Sequence, residues 1–454
     1  MAVMVVLCVL STTLIAQAPG TGLYPFGSFD QRGFDSINIG NLNVHFEIPI
    51  VNKPGRGQGF QYSLVYDGLI WSPVSSSGVS QWTPDTGWGF HAQLNGSNLA
   101  MAGYYDNNQG QKKCFLDPPS WYWAVTTSNY VYHDAFGQQH RFNYATDECT
   151  GTTTGDGNSS DGSGYRFNGS NVVTRTGSQI VAPYNGSSTP SSITDSNGNV
   201  INNHGDGTFT DTLGVTALTI TGGGNPSSPR VFTYKVSNQA DGSTTASVSV
   251  SYVTYTVQTN FGCSISGYGP QAVDLVDRVT LADGTFYQFT YEDTPGFSGS
   301  VTGRISSVTL PTGGTISYSY SGGCNGNGLN ADGTIGSLSR VTSDGTRSYT
   351  RAQVNANATS TTLQDELTRQ SVYQFTINGG LFYETHRQVH VGDSATSVLS
   401  DVSTCYNGAT SSCDGSPITL PIIHTLTASS QDGGSQQNTD NYYDSSTVCS
   451  QKRI

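Results

Sequence analysis

The stretch Val279-Thr280-Leu281-Ala282-Asp283-Gly284-Thr285-Phe286-Tyr287-Gln288-Phe289-Thr290-Tyr291 decides the fold class. β-Branched and aromatic residues flank an Asp-Gly turn, and Tyr287, Phe289 and Tyr291 alternate with polar neighbours, so the unit reads as two strands joined by a tight turn. The pattern returns at Val308-Thr309-Leu310-Pro311-Thr312-Gly313-Gly314 followed by Thr315-Ile316-Ser317-Tyr318-Ser319-Tyr320, with a partial third copy at Val341 to Thr346. Related D-x-x-G turns occur at Asp134 to Gly137, Asp195 to Gly198 and Asp211 to Gly214. In such turns the Asp carboxylate accepts from backbone amides two residues on, and Gly supplies the positive φ. One hairpin cannot bury its own apolar face, so repeated hairpins imply stacking into a continuous sheet.

The same grammar extends outward. Val44, Phe46, Ile48 and Ile50 alternate with His45, Glu47 and Pro49, a period of two with one buried face; Gly40 breaks the parity from Ile37 and Ile39, as a bulge would. After the polar turn 53–57 the alternation resumes at Phe60, Tyr62, Leu64 and Tyr66, which completes a hairpin. Val231 to Val236 and Ala246 to Val257 form a second strand pair around a turn at Asn238 to Gly242. Only Thr361 to Arg369 offers a short helix. The expectation is an all-β chain with antiparallel, β-sandwich-like N-terminal domains followed by a hairpin repeat array.

Composition agrees: 11% of the 454 residues are charged, while 55 are Gly and 25 are Tyr. A net charge of −13 opposes attraction to phosphate backbones, so nucleic acid is not an expected partner. Residues 1–18 carry an apolar run from Val3 to Leu10 and end Ala16-Gln17-Ala18, the form of a cleavable secretory signal rather than a membrane span. Export makes structural disulfides the expected state of Cys114, Cys149, Cys263, Cys324, Cys405 and Cys413, with Cys449 left over. Neighbour pairing gives 114–149, 263–324 and 405–413, although connectivity is not fixed by sequence. Boundaries are expected at the Gly- and Ser-rich stretch from 151 and near 265, giving a Trp-rich β domain (19–150), a second β region (151–265), a repeat region (266–425) and a polar, disordered or truncated tail (426–454).

Motifs for chemistry are weak. His386 and His390 lie four apart on an expected strand, about 13 Å along the chain at ~3.3 Å per residue, too far to share one metal. His133-Asp134 beside Phe136-Gly137 is a turn without a nucleophile elbow. Asp156 to Gly162 resembles a calcium loop but is one residue longer than D-x-N-x-D-G, and no carboxylate pair is nominated for glycoside hydrolysis. No catalytic residue, metal ligand or cofactor is therefore expected. All five Trp fall between Trp71 and Trp123; they are expected mainly to fill the first β domain, yet Trp121-Tyr122-Trp123 must present aromatics to both strand faces, which makes these three the candidate ligand-binding residues.

The sequence resembles bacterial Rhs proteins, whose YD repeats join a Tyr-x-Tyr strand to a Gly-Arg-hydrophobic exit. The match lies at Tyr291-Glu292-Asp293 with Gly303-Arg304-Ile305, again at Tyr318-Ser319-Tyr320, and at 41–67 and 405–422, which are similar to the N-terminal regions of such proteins. The resemblance implies that the repeats begin a β-shell, that the chain is a non-enzymatic wall or scaffold segment of a secreted or cell-surface protein, and that its partners are downstream YD repeats or a C-terminal cargo domain. The chain ends soon after Asn441-Tyr442-Tyr443-Asp444, without the paired Asp-Pro-x-Gly motifs the family uses for self-cleavage, so no toxin or protease role is carried over. The other expectation is a surface adhesin or carbohydrate-binding module using the Trp-rich region, with a cell-surface glycan as partner.

Overall fold

The computed structural model describes residues 19–443, apart from 54–57, 77, 92–101, 117–119, 185–189, 237–243, 393–396 and 409–412. The signal-like segment 1–18, the turn expected at Asn238 to Gly242 and Cys449 lie outside the described residues. Every described regular element is a strand, so the chain is all-β. Strands β1 (Phe29–Gln31), β2 (Asp35–Asn38), β3 (Val44–Lys53) and β4 (Phe60–Asp67) form one antiparallel sheet, and β5 (Trp71–Ser76) and β6 (Val79–Pro84) form a hairpin. A second sheet contains β7 (Tyr104–Phe115), β8 (Trp121–His133), β9 (Gln139–Arg141), β10 (Ala145–Asp147) and β11 (Thr152–Thr154). The remaining 21 strands, β12 (Arg166–Phe167) through β32 (Gln437–Tyr442), form a single sheet in which each strand pairs with the next along the chain.

Turn chemistry drives this meander. At Asp195 and Asp211 the carboxylate Oδ1 accepts from the amides two and four residues on at 2.8–2.9 Å, while the amides of Gly198 and Gly214 donate to the Asp carbonyls. Asp283 likewise accepts from the amide and hydroxyl of Thr285. Each turn uses a Gly at positive φ, where a side chain would be strained. The meander also closes locally: the end of β20 (Thr245–Val257) pairs in parallel with the start of β23 (Ser300–Thr309), skirting the hairpin between them.

The four-stranded N-terminal sheet supplies the core of the large one. Phe60 and Tyr62 meet Phe209, and Tyr62 also meets Phe232. Phe46 stacks 6.0 Å from Phe289, the Ile305 amide donates to the Tyr66 hydroxyl at 3.2 Å, and the indole of Trp71 donates to the Thr302 carbonyl at 3.0 Å. Further along, Thr361 donates to the Ile39 carbonyl, the Phe382 amide donates to the Tyr24 hydroxyl, and Phe26 packs edge-on against Tyr406. Residues 24–66 thus run along one face of the sheet from Phe209 to Tyr406. One buried cluster extends from Ile37 to Leu363, and at roughly 1.5–3 kcal/mol per fully buried large apolar side chain it is the main stabilising term.

Two polar locks reinforce that packing. Arg340 donates through Nε and Nη2 to the two oxygens of Asp35 at 2.7 and 2.6 Å, with the Tyr318 hydroxyl on the same carboxylate at 2.8 Å. Arg347 and Tyr349 both donate to Asp30 at 2.6 Å. The repeat motif has its own lock: Arg304 grips Glu292 with two bonds of 2.8 Å and lies between the rings of Phe261 and Tyr320.

Several expectations are corrected. One buried cluster contains residues from both sides of 151 and of 265; the five-stranded sheet ends at β11, just past 151, and the 21-stranded sheet begins at β12 and continues past 265 from β20 to β21. Gly40 sits in the turn between β2 and β3, not in a bulge, and a Cβ there would lie 2.4 Å from Phe382. The opposite face of β3 is also buried at His45, as is Asn43 immediately before the strand. Thr361 to Arg369 is a strand running into a turn capped by Asp365, not a helix. Within the polar tail, β31 (His424–Gln431) and β32 pair as a hairpin.

Candidate functional site

Candidate side chains gather at four places: an aromatic hairpin end, two buried histidine centres and a cleft beside β1. The hairpin end is built by β7 and β8. Their register sets Phe115 opposite Trp121, Cys114 opposite Tyr122 and Lys113 opposite Trp123. Directly opposed residues share a face, so Phe115, Trp121, Lys113 and Trp123 lie on one side, while Tyr122 lies on the other with Cys114. The Cys114–Cys149 disulfide ties that second side to the loop after β10, with Cα atoms 5.4 Å apart. The first side is open: Trp121 is 43%, Trp123 56% and Phe115 72% exposed, and Tyr122 is 39% exposed. The two indoles pack edge to face at 5.6 Å, and the Lys113 ammonium lies 4.0 Å from the Trp121 ring centroid. Trp71 and Trp82 are buried, as expected of core indoles, and Trp88 is half-buried against Trp71.

The first histidine centre surrounds Asp67, which is buried between His45 Nδ1 at 3.1 Å and His91 Nε2 at 2.7 Å. Burial alone would lower His45, but attraction and hydrogen bonding to Asp67, with Glu47 beyond, raise it to about 10. Burial alone would raise Asp67, yet His45 and His91 hold its carboxyl well below the usual range. In the second centre the ring of His140 lies between Asp161 at 2.7 Å and Asp134 at 3.3 Å, stacked on Tyr165 with centroids 4.1 Å apart. Burial opposes its charge, but hydrogen bonds to Asp134 and Asp161 raise it to about 9. Ser163 Oγ lies 3.1 Å from His140 Nδ1 but donates to Asp161 at 2.6 Å. An imidazolium held by two carboxylates cannot accept a serine proton at neutral pH, so this Ser-His-Asp grouping is a structural clamp. The N-terminal segment reaches both neighbourhoods: Thr21 donates to the Gly137 carbonyl in the turn that follows Asp134, and the Gly22 amide donates to Asp67 of the first centre.

The remaining motifs do not converge. Asp156 caps its own turn through Asn158, while Asp161 is committed to His140, so the calcium-like loop splits its two carboxylates. His386 pairs with Asp401 at 3.1 Å, whereas His390 is buried at the end of its strand. No group of three or more His, Cys, Asp or Glu side chains suited to a metal occurs among the described residues. The disulfides 263–324 and 405–413 complete the neighbour pairing, with Cα atoms 5.0 and 4.8 Å apart. No described helix is long and apolar enough to cross a membrane. The histidine centres escaped sequence reasoning because most of their partners are 21 to 24 residues apart, only Asp134 and His140 being close at six, and all sit in ordinary strand and turn contexts; the Asp-Gly steps at Asp67 and Asp161 and the D-x-x-G turn at Asp134 look like any other turn of the chain. No protein-family model matches the chain, and no curated protein matches it.

Proposed function

We propose that the chain is a non-enzymatic wall segment of a secreted or cell-surface protein of the Rhs type. The observation that carries this reading is the single sheet of 21 strands laid down in chain order, with one face filled by the chain's own N-terminal segment. Such a sheet grows by adding hairpins, and the outer edge of β32, unpaired among the described residues, is where a further YD strand would pair. Arg304 acts here as an internal clamp between successive hairpins, consistent with a repeat residue kept for packing. The three disulfides are consistent with an exported protein. The test is electron microscopy of the native protein captured from the cell surface with antibodies against residues 19–443. Strands continuing past β32 into a closed shell support the reading, and an isolated sheet with a capped edge overturns it.

A second reading, an adhesin or carbohydrate-binding module, is favoured by the exposed pair Trp121 and Trp123, since indole faces stack on pyranose rings. It predicts glycan-array binding that disappears with Trp121→Ala or Trp123→Ala while the melting temperature is unchanged.

A further inference from the structure

A cleft of about 630 Å³ opens between β1 with its flanks and the strands from Arg347 to Leu399. Its volume matches a small-molecule site. Four arginines line it, Arg32, Arg347, Arg369 and Arg387, against three carboxylates, Asp30, Asp365 and Glu384. This is a concentration of cations in a chain with only 19 Lys and Arg against 32 Asp and Glu.

The carboxylates are already occupied. Asp30 accepts from Arg32 Nε at 2.8 Å and from Arg347 and Tyr349 at 2.6 Å. Asp365 takes two backbone amides and Arg369 Nε, and Glu384 takes the Ser28 hydroxyl with Arg387 Nε at 3.6 Å. Arg32, Arg369 and Arg387 each engage these acids through Nε, which leaves their terminal nitrogens without a partner among the described residues. The wall also holds His390, only 3% exposed, whose Nδ1 is buried with no hydrogen-bond partner among the described residues. A buried polar atom left unpaired is costly, and its presence in the wall marks an unfilled hydrogen-bonding capacity there. The unused capacity of the cleft is therefore dominated by guanidinium N–H donors, arranged in the planar forks that match carboxylate and phosphoryl oxygens.

We propose that this cleft binds an acidic saccharide, a sugar carrying a carboxylate or phosphoryl group. The guanidinium forks hold the oxyanion. The volume left beyond a bare anion, bordered by the rings of Phe29 and Tyr373, takes the polyhydroxylated body. The inference is independent of the wall reading, because a wall segment and a free-standing module would carry the same cleft.

The test is calorimetric titration of the oxidised full chain with glucuronate, glucose 6-phosphate and, as neutral control, glucose. Glucuronate or glucose 6-phosphate should bind at millimolar affinity or tighter, and the tighter of the two identifies the oxyanion. The double variant Arg369→Ala/Arg387→Ala should lose at least about tenfold in affinity, because these two guanidinium groups, 59% and 42% exposed, are the accessible forks of the cleft. Arg369→Lys/Arg387→Lys keeps the charge without the fork and should fall between the two. The proposal is overturned if neither anion binds at about 20 mM, if glucose binds equally well, or if the double Ala variant, with an unchanged melting curve, binds as the parent does.

Discussion

Replacing Asp35 with Ala removes the acid that holds the N-terminal sheet to Arg340. Both partners are buried, with side-chain exposures of 0% for Asp35 and 6% for Arg340. The substitution strands a guanidinium away from water and also deprives the Tyr318 hydroxyl of its acceptor. Breaking a buried ion pair from one side costs about 3–5 kcal/mol, and a lost buried hydroxyl partner about 1 kcal/mol or more. The expected loss is therefore about 4–6 kcal/mol. Most of that is the penalty of the orphaned charge, so Asp35→Ala/Arg340→Met, which leaves no charge behind, should cost less than about 2 kcal/mol. Urea unfolding followed through tryptophan emission, to which the buried Trp71 and Trp82 contribute, measures Asp35→Ala, Arg340→Met and the double variant in one cycle. Single variants costing under about 1 kcal/mol, or a double variant equal to the sum of the singles, would refute the idea that this pair locks the inner sheet in place.

Two further outcomes follow from the same packing. His140 has a folded value raised from 6.5 to about 9, so its contribution to stability is fully present below about pH 6.5 and is lost as the pH rises through about 9. Wild-type urea midpoints should fall across that alkaline window, and His140→Gln should flatten the fall; equal slopes would show that the clamp does not carry the effect. The Cys263–Cys324 disulfide closes a sequence separation of 61, for which loop-closure entropy gives about 4 kcal/mol, so Cys263→Ala/Cys324→Ala should lose stability on that scale, and non-reducing peptide maps of the parent should also find Cys405 linked to Cys413.

The hairpins were legible in sequence because their causes are local. Asp at the first turn position, Gly three residues on and large residues every second position fix the turn at Asp195 or Asp211 without help from elsewhere. The destination of the N-terminal strands was not legible. Period-two alternation in Val44 to Ile50 shows that one face is buried, but not that the covering surface comes from Phe289, some 240 residues away. The same limit explains the misplaced outer face of β3. Asn43 and His45 have the composition of a solvent-facing edge, yet both turn inward onto the buried carboxylate of Asp67, and a buried polar centre is indistinguishable from a wet one until its partners are located. Trp121 and Trp123 were the converse case. Strand parity alone required one of the three neighbouring aromatics to be exposed, and the register with Phe115 and Lys113 leaves all three open on a hairpin end.

Hydrogen exchange across the oxidised chain tests the central claim most directly, that the N-terminal strands are the inner layer of one growing sheet. Amides of β3 and β4 should exchange as slowly as those facing them near Phe289 and Arg340, through the same global opening, and protection should then fall through β31 to the outer edge of β32. Fast, independent exchange of β3 and β4, or a β32 protected as strongly as the centre of the sheet, would contradict the account.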